Sequence, residues 1–262
     1  MKRIDARYDA AMTQHLYILT GASRGMGAAL AEQLLKPRNR LMCISRSVNE
    51  QLQADAQAGG AHVEQWQQDL ADGALAAARL GSWLDLQDAA SYASATLINN
   101  AGVIARIGPL SDADPEDLSN ALRVGLEAPM QLTATFLHAT ENWHLPRKVL
   151  NISSGLGRRA MASQAAYCAA KAGMDHFTRC LALDEALKPH GAKVCSLAPG
   201  VIDTGMQVQL RSAAAADFPD QAGFASLKAK GQLSSPQDAA SRIIGYLMRP
   251  DFGSNPVADV RD

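Results

Sequence analysis

Short apolar runs, most of them unbroken rather than alternating, recur along the chain at residues 15–20, 40–45, 61–67, 95–99, 148–153, 192–197 and 256–260. LYILT and KVLNIS are typical. A strand wetted on one face alternates apolar with polar residues, whereas an unbroken run implies cover on both faces. The stretches between the runs supply that cover. They are amphipathic and Ala-rich, and they fall at 25–36, 72–92, 115–141, 163–188 and 236–248. Prolines and acidic residues open two of them, at SDADPED (111–117) and SPQD (235–238), where the helix dipole favours negative charge and a missing N–H is harmless. A β-α-β-α order joins parallel strands through crossover helices. The expectation is a single doubly wound α/β domain, with a mostly parallel seven-stranded sheet flanked by helices on both faces.

Composition narrows the function classes. Lys+Arg total 25 against 26 Asp+Glu, and 47% of residues are hydrophobic. These values fit neither disorder nor a dedicated nucleic-acid binder. The apolar runs fall far short of the ~20 residues that span a bilayer. Nucleic acid and membrane are therefore not expected partners. Cys43, Cys168, Cys180 and Cys195 are scattered, with no CxxC pair and no metal-ligand spacing, so reduced thiols and no metal are expected. Residues 1–14 read as an N-terminal extension of mixed charge without the apolar region of a secretory signal, which makes the cytoplasm the expected location. Residues 15–262 form the domain. Within it, 205–231 reads as an irregular segment, long enough for a substrate loop.

The first run is followed by Thr20-Gly21-Ala22-Ser23-Arg24-Gly25-Met26-Gly27 and then by the helical AALAEQLLK. A strand, a glycine-rich turn and a helix make the anion site of dinucleotide-binding folds. The glycines let the backbone approach a pyrophosphate, and the helix N-terminus presents free N–H groups. The domain is therefore expected to be Rossmann-type. Further on, Tyr167 and Lys171 stand one helical turn apart, so both project from one face. Tyrosine ionises near ~10, and a neighbouring ammonium is expected to lower that value. A phenol tuned in this way can exchange a proton with a developing alkoxide.

TGASRGMG, LINNAG (97–102), LNISS (150–154), YCAAK (167–171) and LAPGVIDT (197–204) occur in this order. In these motifs, from Leu16 onward, the sequence resembles the short-chain dehydrogenase/reductase family. Two regions, 151–185 and the terminus VADVRD, resemble its sepiapterin reductase and benzil reductase branch. The resemblance implies a catalytic set of Ser154, Tyr167 and Lys171, with Ser154 thirteen positions before Tyr167. In this set Ser154 holds the substrate oxygen, Tyr167 is the general acid, and Lys171 tunes Tyr167 and bonds the nicotinamide ribose. Ser153 is the rival to Ser154, and strand alternation allows only one of the two to face the site. The resemblance also implies a cofactor site at Gly21, Ser23, Arg24, Gly25, Met26 and Gly27, with Asp69 and Leu70 at the adenine. Asn100, Ala101 and Gly102 line the adenosine-ribose side, and Pro199, Gly200, Val201, Ile202 and Thr204 the nicotinamide side.

The second strand ends in Cys43-Ile44-Ser45-Arg46 and carries no carboxylate for a ribose hydroxyl. Arg46 and Arg24 are instead placed to meet a 2′-phosphate, so the expected cofactor is NADP(H). The expected substrate is a small-molecule ketone or vicinal dicarbonyl, reduced by an NADPH-dependent carbonyl reductase. Two alternatives stay open: a non-catalytic NADP(H)-binding redox-responsive protein, and an NAD-linked secondary alcohol dehydrogenase. One departure motivates the first. Gly125 stands where many members of the family carry an Asn that helps position the Lys. Backbone and water, Asn120, or weakened activity are the possible consequences. Leu156, Arg158, Met161, Met206 and Phe224 are pocket-wall candidates by position, and Asp259 and Asp262 are acids near the terminus without an assigned role. The small-residue faces of 115–141 and 163–188 suit a homodimer or homotetramer.

Overall fold

The protein is described by a computed structural model covering residues 14–262. All but Gln14 of the expected N-terminal extension lies outside the described residues. Strands β1 (Gln14–Thr20), β2 (Asn39–Ser45), β3 (His62–Gln67), β4 (Tyr92–Asn99), β5 (Arg147–Ile152), β6 (Lys193–Ala198) and β7 (Val257–Asp259) build one sheet. Its order is β3-β2-β1-β4-β5-β6-β7, and every pairing is parallel. The order reverses between β1 and β4, which opens a crevice at their carboxyl ends, the usual ligand position in such sheets.

Nine helices connect the described strands: α1 (Gly25–Leu34), α2 (Glu50–Gly59), α3 (Gly73–Leu84), α4 (Pro115–Leu122), α5 (Ala128–Ala139), α6 (Ala165–Ala186), α7 (Gly205–Ser212), α8 (Gln221–Ala229) and α9 (Pro236–Leu247). Alternate residues of each strand serve opposite layers. Leu16, Ile18, Leu97 and Val149 pack with Leu80 of α3 and with Leu132 and Phe136 of α5. Tyr17, Leu19, Ile98 and Leu150 pack with Leu30 and Leu34 of α1 and Ile243 of α9. This two-sided demand is why the runs are unbroken. Buried amides pin two helices to the sheet. Asn99 donates to Thr133 of α5 (3.1 Å) and to Asn151 (2.9 Å), which in turn donates to Thr178 of α6 (2.9 Å).

The elements differ from expectation at four places. The expected 72–92 helix stops at Leu84, and Tyr92 already begins β4. The expected 115–141 helix is broken by a π turn at Arg123–Glu127, in which the Ala128 N–H reaches back to the Arg123 carbonyl. Residue 129 is proline and offers no N–H to the carbonyl of Gly125, so the α ladder opens there. An unforeseen helix, α2, starts at Asn49, whose side chain accepts from the Leu52 N–H, and ends at left-handed Gly60. The segment 205–231 is not irregular. It holds α7 and α8, with Phe218 and Phe224 stacked at 5.6 Å. Its ends lie side by side, because Ile202 and Ser234 form a parallel bridge. Ser163, at φ 62, ties it to the start of α6 by donating its Oγ to the Asp217 carbonyl (2.6 Å).

Candidate active site

The glycine turn begins where β1 ends. Gly21 N–H bonds the Ile44 carbonyl (2.8 Å), and Ala22 N–H bonds Ser45 Oγ (2.8 Å). These bonds dock the turn on the end of β2. Gly27 must lack a side chain, since a Cβ there would lie 1.9 Å from the Gly21 carbonyl oxygen. Arg24 is the N-cap of α1 but gives no side-chain cap, and the first turn of α1 contains no acidic residue. The helix thus presents uncapped N–H groups and its positive dipole end to whatever lies in the turn. That chemistry fits a pyrophosphate.

The loop after β4 closes the opposite wall. Thr20 Oγ1 accepts from the N–H groups of Asn100 (2.9 Å) and Ala101 (3.0 Å), while Asn100 Nδ2 donates to the carbonyls of Thr20 (3.0 Å) and Gly21 (3.2 Å). Gly102 faces α6, where a Cβ would sit 3.9 Å from Lys171 Nζ. The segment after β6 forms the third wall. A Cβ on Gly25 would meet Thr204 at 3.6 Å. The same segment carries Pro199, Gly200 (φ 83), Val201 and Ile202. Arg24 and Arg46 are both exposed on the rim, and neither pairs with a carboxylate among the described residues. Asp69 is exposed and caps its own turn by accepting from the Ala71 N–H (2.9 Å), and Leu70 is buried in the core.

Ser154, Tyr167 and Lys171 converge at the carboxyl end of β5. Ser153 turns inward and donates to Asp175 Oδ1 (2.6 Å). Ser154 faces the other way: its Oγ accepts from the Leu156 N–H (3.1 Å), and its hydroxyl favours ionisation of the Tyr167 phenol. The two serine side chains thus serve opposite sides, as strand alternation requires. Lys171 is buried, donates to the Ile152 carbonyl (2.7 Å) and lies 5.7 Å from the centre of the Tyr167 ring.

The electrostatics correct one expectation. Burial pushes the Tyr167 phenol above its ordinary value, opposed by the Ser154 hydrogen bond. Burial also pulls Lys171 down to about 8, with Asp175 opposing the change. Withdrawal from water outweighs the pairwise attraction for both groups. Tyr167 therefore remains a protonated donor at neutral pH, the form needed to give a proton away.

Gly125 packs against α6, and a Cβ there would stand 3.1 Å from the Ala170 Cβ. A cleft beside Tyr167 is lined by Ala105, Arg106, Leu118, Gln164 and Ala166. None of the wall residues expected from position alone lines it. Arg158 turns instead to Asp175 and to the Ala258 carbonyl. Asp259 is held by Arg261 through two bonds of 2.7 Å, and its N–H by Asp262 (3.0 Å). Arg106 and Gln164, which line that cleft, lie in loop positions that carry no periodic signal in the sequence. Among the described residues no metal-binding cluster occurs and no helix is long and apolar enough to cross a membrane.

Comparison with known proteins agrees with this geometry. The profile of the family described as short chain dehydrogenase matches residues 15–215. A benzil reductase ((S)-benzoin forming) of Bacillus cereus is 36% identical over 240 residues, covering 92% of this chain and 96% of the relative. A sepiapterin reductase of Meriones unguiculatus is 32% identical over 257 residues, covering 94% and 95%. The crystal structure of a short-chain dehydrogenase/reductase from Burkholderia vietnamiensis is 33% identical, covers 95% of this chain and 99% of its own, and superposes with a TM-score of 0.62. A metagenomic short-chain oxidoreductase in complex with NADP is 25% identical, covers 95% and 96%, and gives a TM-score of 0.70. With its parallel sheet, glycine turn and these relatives, the chain belongs to the short-chain dehydrogenase/reductase family.

Proposed function

We propose that the protein is an NADPH-dependent reductase of ketones and vicinal dicarbonyls, with Ser154, Tyr167 and Lys171 as its catalytic set. The observation that carries this reading is the convergence of a protonated phenol, a serine hydroxyl and a buried lysine beside a cradle suited to a dinucleotide. The names of two relatives, benzil reductase and sepiapterin reductase, support the substrate class.

The residues that would hold the dinucleotide are Gly21, Ser23, Gly25, Met26 and Gly27 at the pyrophosphate and Asn100, Ala101 and Gly102 at the adenosine ribose. Asp69 and Leu70 lie toward the adenine. Pro199, Gly200, Val201, Ile202 and Thr204 line the nicotinamide side, and Arg24 and Arg46 meet the 2′-phosphate. When bound, the reduced nicotinamide supplies a hydride, which is the only redox chemistry the reaction needs. Ser154 orients the substrate carbonyl by donating to its oxygen. Tyr167 transfers its proton to that oxygen as negative charge develops there. Lys171, anchored on the Ile152 carbonyl, keeps a positive charge beneath the phenolate that remains and bonds the ribose hydroxyls. Backbone at the π turn around Gly125, which lacks an N–H donor at Pro129, takes the place of the missing Asn side chain. The 205–231 segment, with α7 and α8, forms the substrate-side cover.

The test is NADPH oxidation by the purified protein across vicinal dicarbonyls, pterins, quinones and simple ketones, followed by nicotinamide absorbance. Turnover of dicarbonyls, faster with NADPH than with NADH, is expected. Tyr167→Phe is expected to bind NADPH as the wild type does and to lose turnover by about 10²–10⁴-fold. A wild-type rate in that variant, or no oxidation by the wild type with any carbonyl, would reject the reading.

A further inference from the structure

Asp175 is a buried charge that the proposed mechanism leaves unused. It lies on α6, one turn beyond Lys171, and is 1% exposed. Its Oδ1 accepts from Ser153 Oγ (2.6 Å) and from Ser196 Oγ of β6 (2.7 Å). Its Oδ2 faces Arg158 Nε at 3.3 Å, and Arg158 Nη2 donates onward to the Ala258 carbonyl of β7 (2.7 Å). The turn at Gly155–Gly157 lies flat on this part of the helix. A Cβ at residue 157 would be 2.8 Å from Asp175 Oδ2 and 2.9 Å from the Lys171 carbonyl oxygen.

Withdrawing a carboxylate from water is expensive, and a packed apolar side chain would fill the same space more cheaply. What the charge does here follows from its neighbours. Ser153 sits between Ile152, whose carbonyl receives the Lys171 amine, and Ser154, whose hydroxyl meets Tyr167. Fixing Ser153 therefore fixes both. Lys171 stands one turn before Asp175 on the same helix face, with Arg179 one turn after it, and Asp175 opposes the loss of the Lys171 charge on burial.

We propose that Asp175 is a positioning residue: its carboxylate stands one helical turn beyond Lys171 and, through Ser153, locks the strand end that presents Ser154 and the Ile152 carbonyl that anchors the Lys171 amine. Arg158 is the counter-charge to Asp175 and ties the site to the C-terminal strand. The inference rests on the catalytic reading of Ser154, Tyr167 and Lys171 given above. The groups that face this pair are Tyr167 on α6, Arg158 from the turn after β5, Cys195 of β6 and, behind Arg158, Asp259 of β7.

Asp175→Asn preserves shape and one acceptor oxygen but removes the charge. The alkaline limb of kcat, set by Lys171, is expected to move at least about one pH unit lower. Arg158→Met is expected to move it in the opposite direction. A second readout needs no turnover. The folded value of Lys171, about 8, lies below its ordinary 10.5. Its charged form thus weighs on stability at low pH and is relieved as pH rises through that window. The stability lost in Asp175→Asn, measured by urea unfolding, is expected to shrink as pH rises through about 8, because the attraction ends when the amine is neutral.

An Asp175→Asn variant that lowers kcat equally at every pH, with a pH-independent loss of stability, would reduce the carboxylate to packing and overturn the proposal. Should that variant not fold, Arg158→Met decides: a raised limb supports the proposal and an unmoved limb overturns it. A wild type that oxidises no NADPH defeats the catalytic reading instead, and the unfolding series still decides the role of Asp175.

Discussion

Residue chemistry divides into what spacing can foretell and what only burial decides. The spacing from Ser154 to Tyr167 and Lys171 marked the proposed set, and the structure turns Ser153 inward to Asp175, away from Ser154. The direction of the Tyr167 shift was not legible, because a linear sequence shows the ammonium nearby but not how far both groups are withdrawn from water. Asp175 was illegible for a related reason. An Asp within a long helix reads as solvated surface until two hydroxyls and a guanidinium are found converging on it. Arg46 belongs to the same scale. It is exposed, at the end of β2 and beside the docked glycine turn. Arg46→Ala is expected to leave NADH binding unchanged and to weaken NADPH about 10- to 100-fold, the loss of one or two charge-assisted bonds to phosphate. Fluorescence titration with both nucleotides checks this, and equal losses for the two would contradict the assignment.

At the level of elements, every strand was legible from its apolar run, because a sheet covered on both faces leaves an unambiguous pattern. Helices were harder. In α2 only Leu52 and Ala56 are buried, so ten residues give almost no periodic signal. In α7 and α8 the apolar residues serve each other and the domain surface rather than one sheet, which disguised them as loop. The π turn was hidden because its cause, Pro129, acts on a carbonyl four residues earlier. That turn brings Gly125 onto α6. Gly125→Ala would drive a methyl against Ala170 at 3.1 Å and displace the helix that carries Lys171. A loss of about 1–3 kcal/mol is expected, as for other overpacked contacts, measured by denaturant unfolding. A variant as stable as the wild type would mean that the two helices separate freely. Phe136→Ala in α5, fully buried between the sheet and α3, is expected to cost about 3–5 kcal/mol and serves as the reference for core damage.

For the molecule as a whole, the surface carries features that a lone domain does not need. Leu183 of α6 and Leu187, just past its end, are 71% and 87% exposed, and Leu122 and Met130 are exposed on the neighbouring helices α4 and α5. Exposed Ala165, Ala169 and Ala172 extend the same helix. We infer that these helices form the contact of a homodimer or homotetramer. Light scattering is expected to give a multiple of 27.8 kDa, and Leu183→Lys is expected to shift it toward the monomer. A monomeric wild type at micromolar concentration would exclude the assembly. The bridge between Ile202 and Ser234 has a different consequence. It closes the α7–α8 excursion at its base, so that stretch contributes no strand to the sheet and enters and leaves the body at one point. It is a cassette in the engineering sense: the corresponding helix pair of a relative can be stitched in at that seam while the pleated frame stays as it is.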